Sequence, residues 1–150
     1  MKAWLILAVA VAAVAQDEPT RVGRDQARSM VITKFGIVAA SQTLASQAGA
    51  RVLEDGGNAI DAAIAANAVL GVTEPMMNGM GGDLFAVYWE AKTGKLYGLN
   101  ASGWAPRGLT IAHIKAKDAT AMPLGGIDSV TVPGAVAGWS ALHERFGHLA

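Results

Sequence analysis

The spacing of apolar residues predicts two helices in the first half of the chain. Over residues 44–55 apolar positions recur every three or four residues, and a Gly-Gly pair then ends the pattern. Asn58 opens the second helix as an N-cap that accepts hydrogen bonds from first-turn amides, and Asp61 lies near the positive end of the helix dipole. This helix is apolar on almost every side, which predicts that it is buried, and Pro75 ends it at the latest.

The second half of the chain alternates shorter elements. Residues 84–89 are strongly β-prone, a Lys-Thr-Gly-Lys turn follows, and residues 96–100 form a second strand, so a hairpin is predicted. The pattern also predicts short strands and helices elsewhere, namely strands over 35–40 and 129–132 and helices over 110–117 and 135–146. From residue 36 onward these elements predict one layered α+β unit.

The first 35 residues predict an export signal and an exposed lead-in. Met1-Lys2 gives a positive start, residues 3–15 are uncharged and apolar, and Ala13-Val14-Ala15 fits an A-x-A cleavage site. Thirteen apolar residues fall short of the roughly 20 that a membrane-spanning helix needs, so no stable membrane span is predicted. We therefore interpret 1–15 as a signal peptide of a periplasmic or extracellular protein, with an amphipathic or buried N-terminal helix as the alternative. Residues 16–35 are the exposed lead-in.

Composition excludes several classes of site. The 150 residues carry 12 Lys+Arg and 12 Asp+Glu without any basic run, so a nucleic-acid partner is not expected. The absence of Cys excludes disulfides, thiolate metal sites and a cysteine nucleophile. The 18 Gly residues are instead clustered, chiefly in a Gly56-Gly57 pair and in the run from Asn78 to Asp83. Those clusters mark places where the backbone turns tightly or approaches a neighbour closely.

The residues alone predict binding surfaces rather than a complete catalytic apparatus. The glycine-rich run 78–83 precedes a strand, so it fits neither a dinucleotide fingerprint nor a P-loop, and a tight turn is favoured over an anion site. Metal-ligand spacing is missing among the three histidines, which we interpret as surface or helix-end residues: His113, His143 and His148. Ser102 lacks the G-x-S-x-G context of an esterase nucleophile, and Trp104 can wall a pocket or belong to the core.

A series of motifs nevertheless runs in order through residues 36–150. The motifs are GGNAIDAA at 56–63, VTEP at 72–75, GMGG at 79–82, Ala-Pro at 105–106 and SVTVPGAVAG at 129–138. This series resembles the start of the large subunit in the gamma-glutamyltransferase family. Residues 36–150 are thereby identified as an incomplete N-terminal part of that subunit.

The resemblance implies an N-terminal-nucleophile hydrolase, an αββα layered sandwich made as one precursor that cuts itself into a large and a small subunit. In this family the Thr freed at the start of the small subunit is the nucleophile and its own α-amine is the base. The substrate is a γ-glutamyl compound such as glutathione, and the acyl group passes to water or to an amino acid. No metal or organic cofactor is implied.

The resemblance also implies where the chemistry does not lie. The nucleophile is expected beyond this chain, so no catalytic residue is expected within it, and this segment alone is expected to be inactive. Family oxyanion donors come from a glycine pair of the small subunit, so Gly81 and Gly82 are not assigned that role. The small subunit of the same precursor is the expected partner.

One departure from the family pattern concerns substrate binding. The family has Phe-Arg-Glu-x-Ala-Pro, where the Arg grips the α-carboxylate of the substrate, and aligning on Ala105-Pro106 places Ser102 at that position. A neutral Ser cannot form the bidentate ion pair of an Arg, while Arg107 is a nearby substitute. Ser102, Trp104 and Arg107 are therefore the candidate substrate-binding residues. The departure leaves open a cephalosporin-acylase-like enzyme acting on a non-glutamyl amide, or a non-catalytic scaffold.

Overall fold

The computed structural model describes residues 30–150, and Thr33–Ala150 form one compact unit. The predicted signal peptide, residues 1–15, and residues 16–29 of the predicted lead-in lie outside the described residues; residues 30–35 are exposed. Within 30–150, the helices are all too short or too polar to cross a bilayer.

Both predicted N-terminal helices are confirmed. Helix α1 covers Thr43–Glu54 and helix α2 covers Ala59–Thr73. Asn58 caps α2 as predicted, because its Oδ1 accepts from the amides of Ile60 at 2.8 Å and Asp61 at 3.1 Å. The Asp61 carboxylate in turn accepts a hydrogen bond from the Asn58 amide at 2.9 Å, which completes a reciprocal capping box.

Small residues allow the two helices to pack closely. Ala45 of α1 and Ala62 of α2 are among the buried residues, and a Cβ on Gly49 would lie only 2.9 Å from the Ala62 carbonyl oxygen. The prediction that α2 is buried on almost every side is wrong for the part of the protein described. Its buried residues are Ile60 to Ala62 and Ala66, of which Ala62 lies beside Gly49 of α1, whereas Val72 is 81% exposed.

Two glycine substitutions in these helices are expected to have opposite effects. Gly49→Ala should lower the free energy of unfolding by about 1–3 kcal/mol, because the new methyl group meets the Ala62 backbone and the Val38 side chain. Gly71→Ala should raise it by about 0.5–1 kcal/mol, because helix propensity improves. The nearest atom to its new Cβ is 3.7 Å away, an ordinary contact. Urea denaturation of the full-length protein measures both, and equal effects would contradict this packing.

The hairpin is confirmed. Strand β1, Leu84–Glu90, pairs antiparallel with β2, Lys95–Ala101, in a register that places Leu84 opposite Ala101. One face of this sheet packs on helix α4, Ala135–Phe146, where the Phe146 ring lies 4.8 Å from the ring centroids of both Tyr88 and Tyr97. The opposite face carries exposed apolar side chains such as Val87.

The two further predicted helices are also present, and the two further predicted strands are wrong. Helix α3 covers Ile111–Lys115, and α4 matches the prediction over 135–146. Residues 35–40 form no strand. They lie alongside α1 and α2, with Val38 against Gly49. Residues 127–129 are a short 3₁₀ helix whose Ile127 carbonyl accepts from the Val130 amide, and the Val132 amide donates to the Trp104 carbonyl. An apolar run becomes a strand only beside a backbone it can pair with repeatedly, and neither run has one among the described residues.

Candidate functional site

Ser102 and Trp104 line one cleft, and Arg107 does not. The cleft lies between the end of β2 and the start of α4, and its volume is about 470 Å³. Ser102 is half-buried in its wall, whereas the Trp104 side chain is 85% exposed. Arg107 lies beyond Pro106 in an exposed turn and is absent from the lining of this cleft. The structure therefore brings together two of the three predicted substrate-binding residues.

The chain leaving β2 is held in place by hydrogen bonds of its own backbone groups. The Ser102 amide donates to Oδ1 of Asn100 at 3.0 Å, and the Trp104 carbonyl accepts from the Val132 amide at 2.9 Å. Between them Gly103 has a φ of +76°, a backbone conformation that residues with a side chain rarely adopt. A Cβ at Gly103 would also overlap the Val132 carbonyl oxygen. Gly103 thus allows residues 102–104 to pass directly against residues 132–134.

The glycine-rich run 78–83 also contacts the point where residues 102–104 pass against residues 132–134. The Gly82 carbonyl accepts from the amides of Gly134 and Ala135, each at 3.1 Å, so it satisfies two of the amides at the start of α4. Next to it, the Asp83 carboxylate accepts from the Thr131 hydroxyl at 2.9 Å. We call the meeting point of Gly82, Gly103 and Gly134 the glycine junction. The turn interpretation of residues 78–83 is confirmed, because the Gly82 amide donates to the Gly79 carbonyl at 3.2 Å.

The chemistry of the cleft is that of a neutral binding wall. None of the residues that line it in the described part of the chain is charged, and the small residues Ala137, Gly138 and Ala141 form its helical side. Its lining residues with polar side-chain atoms are Asn100, Ser102 and Trp104. Such a wall can orient a ligand by hydrogen bonds and by contact with the Trp104 ring. It offers no paired base and nucleophile that would perform a reaction.

The three histidines lie at helix ends or on the surface, as the sequence predicted, with His148 exposed beyond the end of α4. His113 lies in the last turn of α3, and its Nε2 is 2.9 Å from the Asp128 carboxylate. Hydrogen bonds from Lys117 and then from His113 lower the pKa of Asp128 below its ordinary value. His143 lies in the last turn of α4, far along the chain from this group. The His113 contact attaches the segment around Asp128 to α3, and neither His113 nor His143 lines the cleft.

Asn67 is a polar residue that sequence analysis missed. Its Oδ1 accepts from the Trp139 indole at 2.9 Å, and its backbone carbonyl accepts from the Asn78 side chain at 2.8 Å. Asn67 thereby attaches both α4 and the start of the glycine-rich run to α2. The available signal was a lone Asn in an otherwise Ala-rich helix, since a buried polar group needs a partner.

Comparison with known proteins identifies the relatives of this chain. The family model described as gamma-glutamyltranspeptidase matches residues 45–150. The chain is 44% identical to the glutathione hydrolase-like YwrD proenzyme of Bacillus subtilis (strain 168), over 82% of this chain and 23% of that protein. It is 36% identical to the glutathione hydrolase proenzyme of the same organism, over 82% of this chain and 22% of that protein. The chain thus spans less than a quarter of these curated relatives.

Solved structures agree in fold. Gamma-glutamyltranspeptidase of Helicobacter pylori superposes with a TM-score of 0.73 at 35% identity, covering 81% of this chain and 35% of that one. Cephalosporin acylase of Bacillus halodurans gives a TM-score of 0.65 at 44% identity, covering 83% of this chain and 24% of that one. The predicted α+β class is confirmed, with the described helices and hairpin forming part of the αββα sandwich of N-terminal-nucleophile hydrolases. The chain belongs to the gamma-glutamyltranspeptidase family.

Proposed function

We propose that the full-length protein hydrolyses γ-glutamyl amides such as glutathione and transfers the γ-glutamyl group to water or to an amino acid. The family match over residues 45–150 carries this proposal. Curated relatives named glutathione hydrolases, from Bacillus subtilis to Arabidopsis thaliana, support the same substrate class. Because the chain spans less than a quarter of the Bacillus relatives, the activity belongs to the whole protein.

The proposed chemistry uses a Thr nucleophile outside this chain. Its hydroxyl oxygen attacks the amide carbonyl, the hydroxyl proton moves to the Thr α-amine, and that proton then goes to the departing amine. The resulting ester is resolved by water or by an amino acid. In this scheme Ser102 and Trp104 contact the acyl group or its leaving amine from the wall of the cleft. Arg107 is the proposed nearby cation, and it lies in the exposed turn that follows Pro106.

We also propose that the protein is exported and processed. Residues 1–15 serve as the signal peptide, and the precursor separates into a large subunit containing this chain and a small subunit that starts with the Thr. The word proenzyme in the names of the Bacillus relatives supports processing. Intact-mass and N-terminal sequencing of the purified protein test both steps. A mature start at Gln16 and two chains are expected.

A γ-glutamyl anilide tests the activity directly. Incubation of the processed full-length protein should release aniline, and an added amino acid acceptor should increase the rate. A variant with the small-subunit Thr replaced by Ala is the control, and it should neither self-cleave nor release aniline. Confirmed self-cleavage without aniline release would refute the γ-glutamyl substrate. Absence of self-cleavage in the unmodified protein would instead favour a non-catalytic scaffold.

The second candidate is a cephalosporin-acylase-like enzyme that acts on a non-glutamyl amide. The supporting observation is the uncharged cleft wall around Ser102, where the family pattern has an Arg. The comparisons favour the first candidate, because the family model and the curated relatives carry gamma-glutamyltranspeptidase and glutathione hydrolase names. Release of product from a non-glutamyl anilide, without release from the γ-glutamyl one, would reverse that order.

A further inference from the structure

Asp61 does more than cap its own helix. Its side chain is only 4% exposed, and its carboxylate accepts hydrogen bonds from the backbone of a segment that is distant in sequence. The His148 amide lies 3.1 Å from both carboxylate oxygens, and the Leu149 amide lies 3.3 Å from Oδ2. With the bond from the Asn58 amide, three backbone amides converge on one buried carboxylate.

Asn58 contacts the same segment through its other polar atom. While its Oδ1 accepts from α2 amides, its Nδ2 donates to the Phe146 carbonyl at 2.6 Å. That carbonyl is at the last residue of α4, where helical carbonyls lack partners within the helix. Asn58 therefore satisfies the start of one helix and the end of another.

We propose that Asn58 and Asp61 form a latch that fixes residues 146–149 against the start of α2 and releases them in acid. A glycine lies on each side of the contact. A Cβ on Gly147 would lie 3.0 Å from Oδ1 of Asp61, and one on Gly57 would lie 3.0 Å from the Leu149 side chain. We call residues 146–149 the latch segment. The GGNAID motif thus serves as a docking site for the chain that leaves α4.

The acid sensitivity follows from the groups around the carboxylate. Burial raises the pKa of Asp61, but bonds from the Asn58, His148 and Leu149 amides and the charge of His143 outweigh it, so the pKa lies below its ordinary value. His143 of α4, with Nε2 3.8 Å from Oδ1, is the basic side chain within ion-pair distance of Asp61 among the described residues. Nε2 of His143 also lies 2.7 Å from the Leu149 carbonyl oxygen.

The direction of the pH effect can be worked out from this shift. A carboxylate whose pKa is lower in the closed state stabilises that state fully at pH values above its ordinary pKa of 3.8. The stabilisation is lost as the pH falls through the region between 3.8 and the lowered value. The latch is therefore closed at neutral pH and opens in acid.

Hydrogen exchange measured by mass spectrometry on the full-length protein tests the latch without reference to activity. Asp61→Asn should lower the protection factors of the latch segment at pH 7 by about tenfold, since it removes the charge-assisted bonds to the His148 and Leu149 amides. Asn58→Ser is the sharper variant, because Ser keeps an N-cap acceptor for α2 but loses the side-chain Nδ2 group that donates to the Phe146 carbonyl. It should lower protection in 146–149 while residues 59–63 stay protected.

Asp83→Asn is the matched control, since it changes a carboxylate that bonds Thr131 instead. It should leave the latch segment protected. In the unmodified protein, protection factors corrected for intrinsic rates should fall in this segment as the pH is lowered below about 3.8, whereas Asp61→Asn should show no such fall. Unchanged protection of 146–149 in both variants would overturn the proposal. So would an Asn58→Ser effect in 59–63 equal to that in 146–149, because the contact would then be ordinary helix capping.

Discussion

Gly134→Ala is expected to lower the free energy of unfolding of the full-length protein by at least about 3 kcal/mol. The new Cβ would overlap the Ala101 carbonyl oxygen and lie 2.8 Å from the Gly103 amide nitrogen. Both neighbours are backbone atoms, so relief requires the end of β2 and the start of α4 to separate. That movement would also strain the bonds that the Gly82 carbonyl accepts from Gly134 and Ala135.

Gly103→Ala should be at least as damaging, because its methyl group would overlap the Val132 carbonyl oxygen and its φ of +76° disfavours any side chain. Gly108→Ala is the matched control, since a Cβ there meets no atom within 4 Å. It should change stability by less than about 0.5 kcal/mol. Differential scanning calorimetry of the three variants gives the comparison. Transition temperatures for Gly103→Ala and Gly134→Ala within a degree of the control would contradict the close backbone contact.

The elements that sequence analysis predicted correctly are those that local residues determine. Asn58 and Asp61 encode the start of α2 within one helical turn, and the β-prone run with its Gly94 turn encodes the hairpin. Adjacent strands in a hairpin provide each other's backbone partners, so residues 84–101 need nothing distant. The strands predicted over 35–40 and 129–132 failed because strand formation there depends on pairing that the local sequence does not specify.

In the candidate site, too, the features set by neighbouring residues were predicted and those that depend on distant residues were not. Ser102 and Trp104 were found because they lie next to a recognisable Ala-Pro pair, and the cleft they line is formed with residues 132–134 from far along the chain. The part played by Gly82 could not be predicted, because a carbonyl that caps a helix 52 residues later leaves no local pattern. The second role of Asp61 was hidden for the same reason, since its capping function already explained the residue.

The family departure at residue 102 predicts a change in substrate preference. Ser102→Arg should raise kcat/KM for a γ-glutamyl anilide by about tenfold to a hundredfold, because an Arg supplies charge-assisted bonds to the α-carboxylate. The cleft of about 470 Å³ beside residue 102 leaves room for the longer side chain. The Ser102 amide keeps its bond to Asn100, since that bond is made by the backbone.

Two comparisons make this prediction specific to the carboxylate. The gain should vanish with a γ-aminobutyryl anilide, which differs from the γ-glutamyl substrate only by lacking the α-carboxylate. Ser102→Gln, of similar length but neutral, should show little gain with either substrate because it lacks the charge. A fall in kcat/KM for the γ-glutamyl anilide in Ser102→Arg, or an equal gain with both anilides, would mean that residue 102 does not face the α-carboxylate. The neutral wall would then belong to the binding site of another part of the substrate.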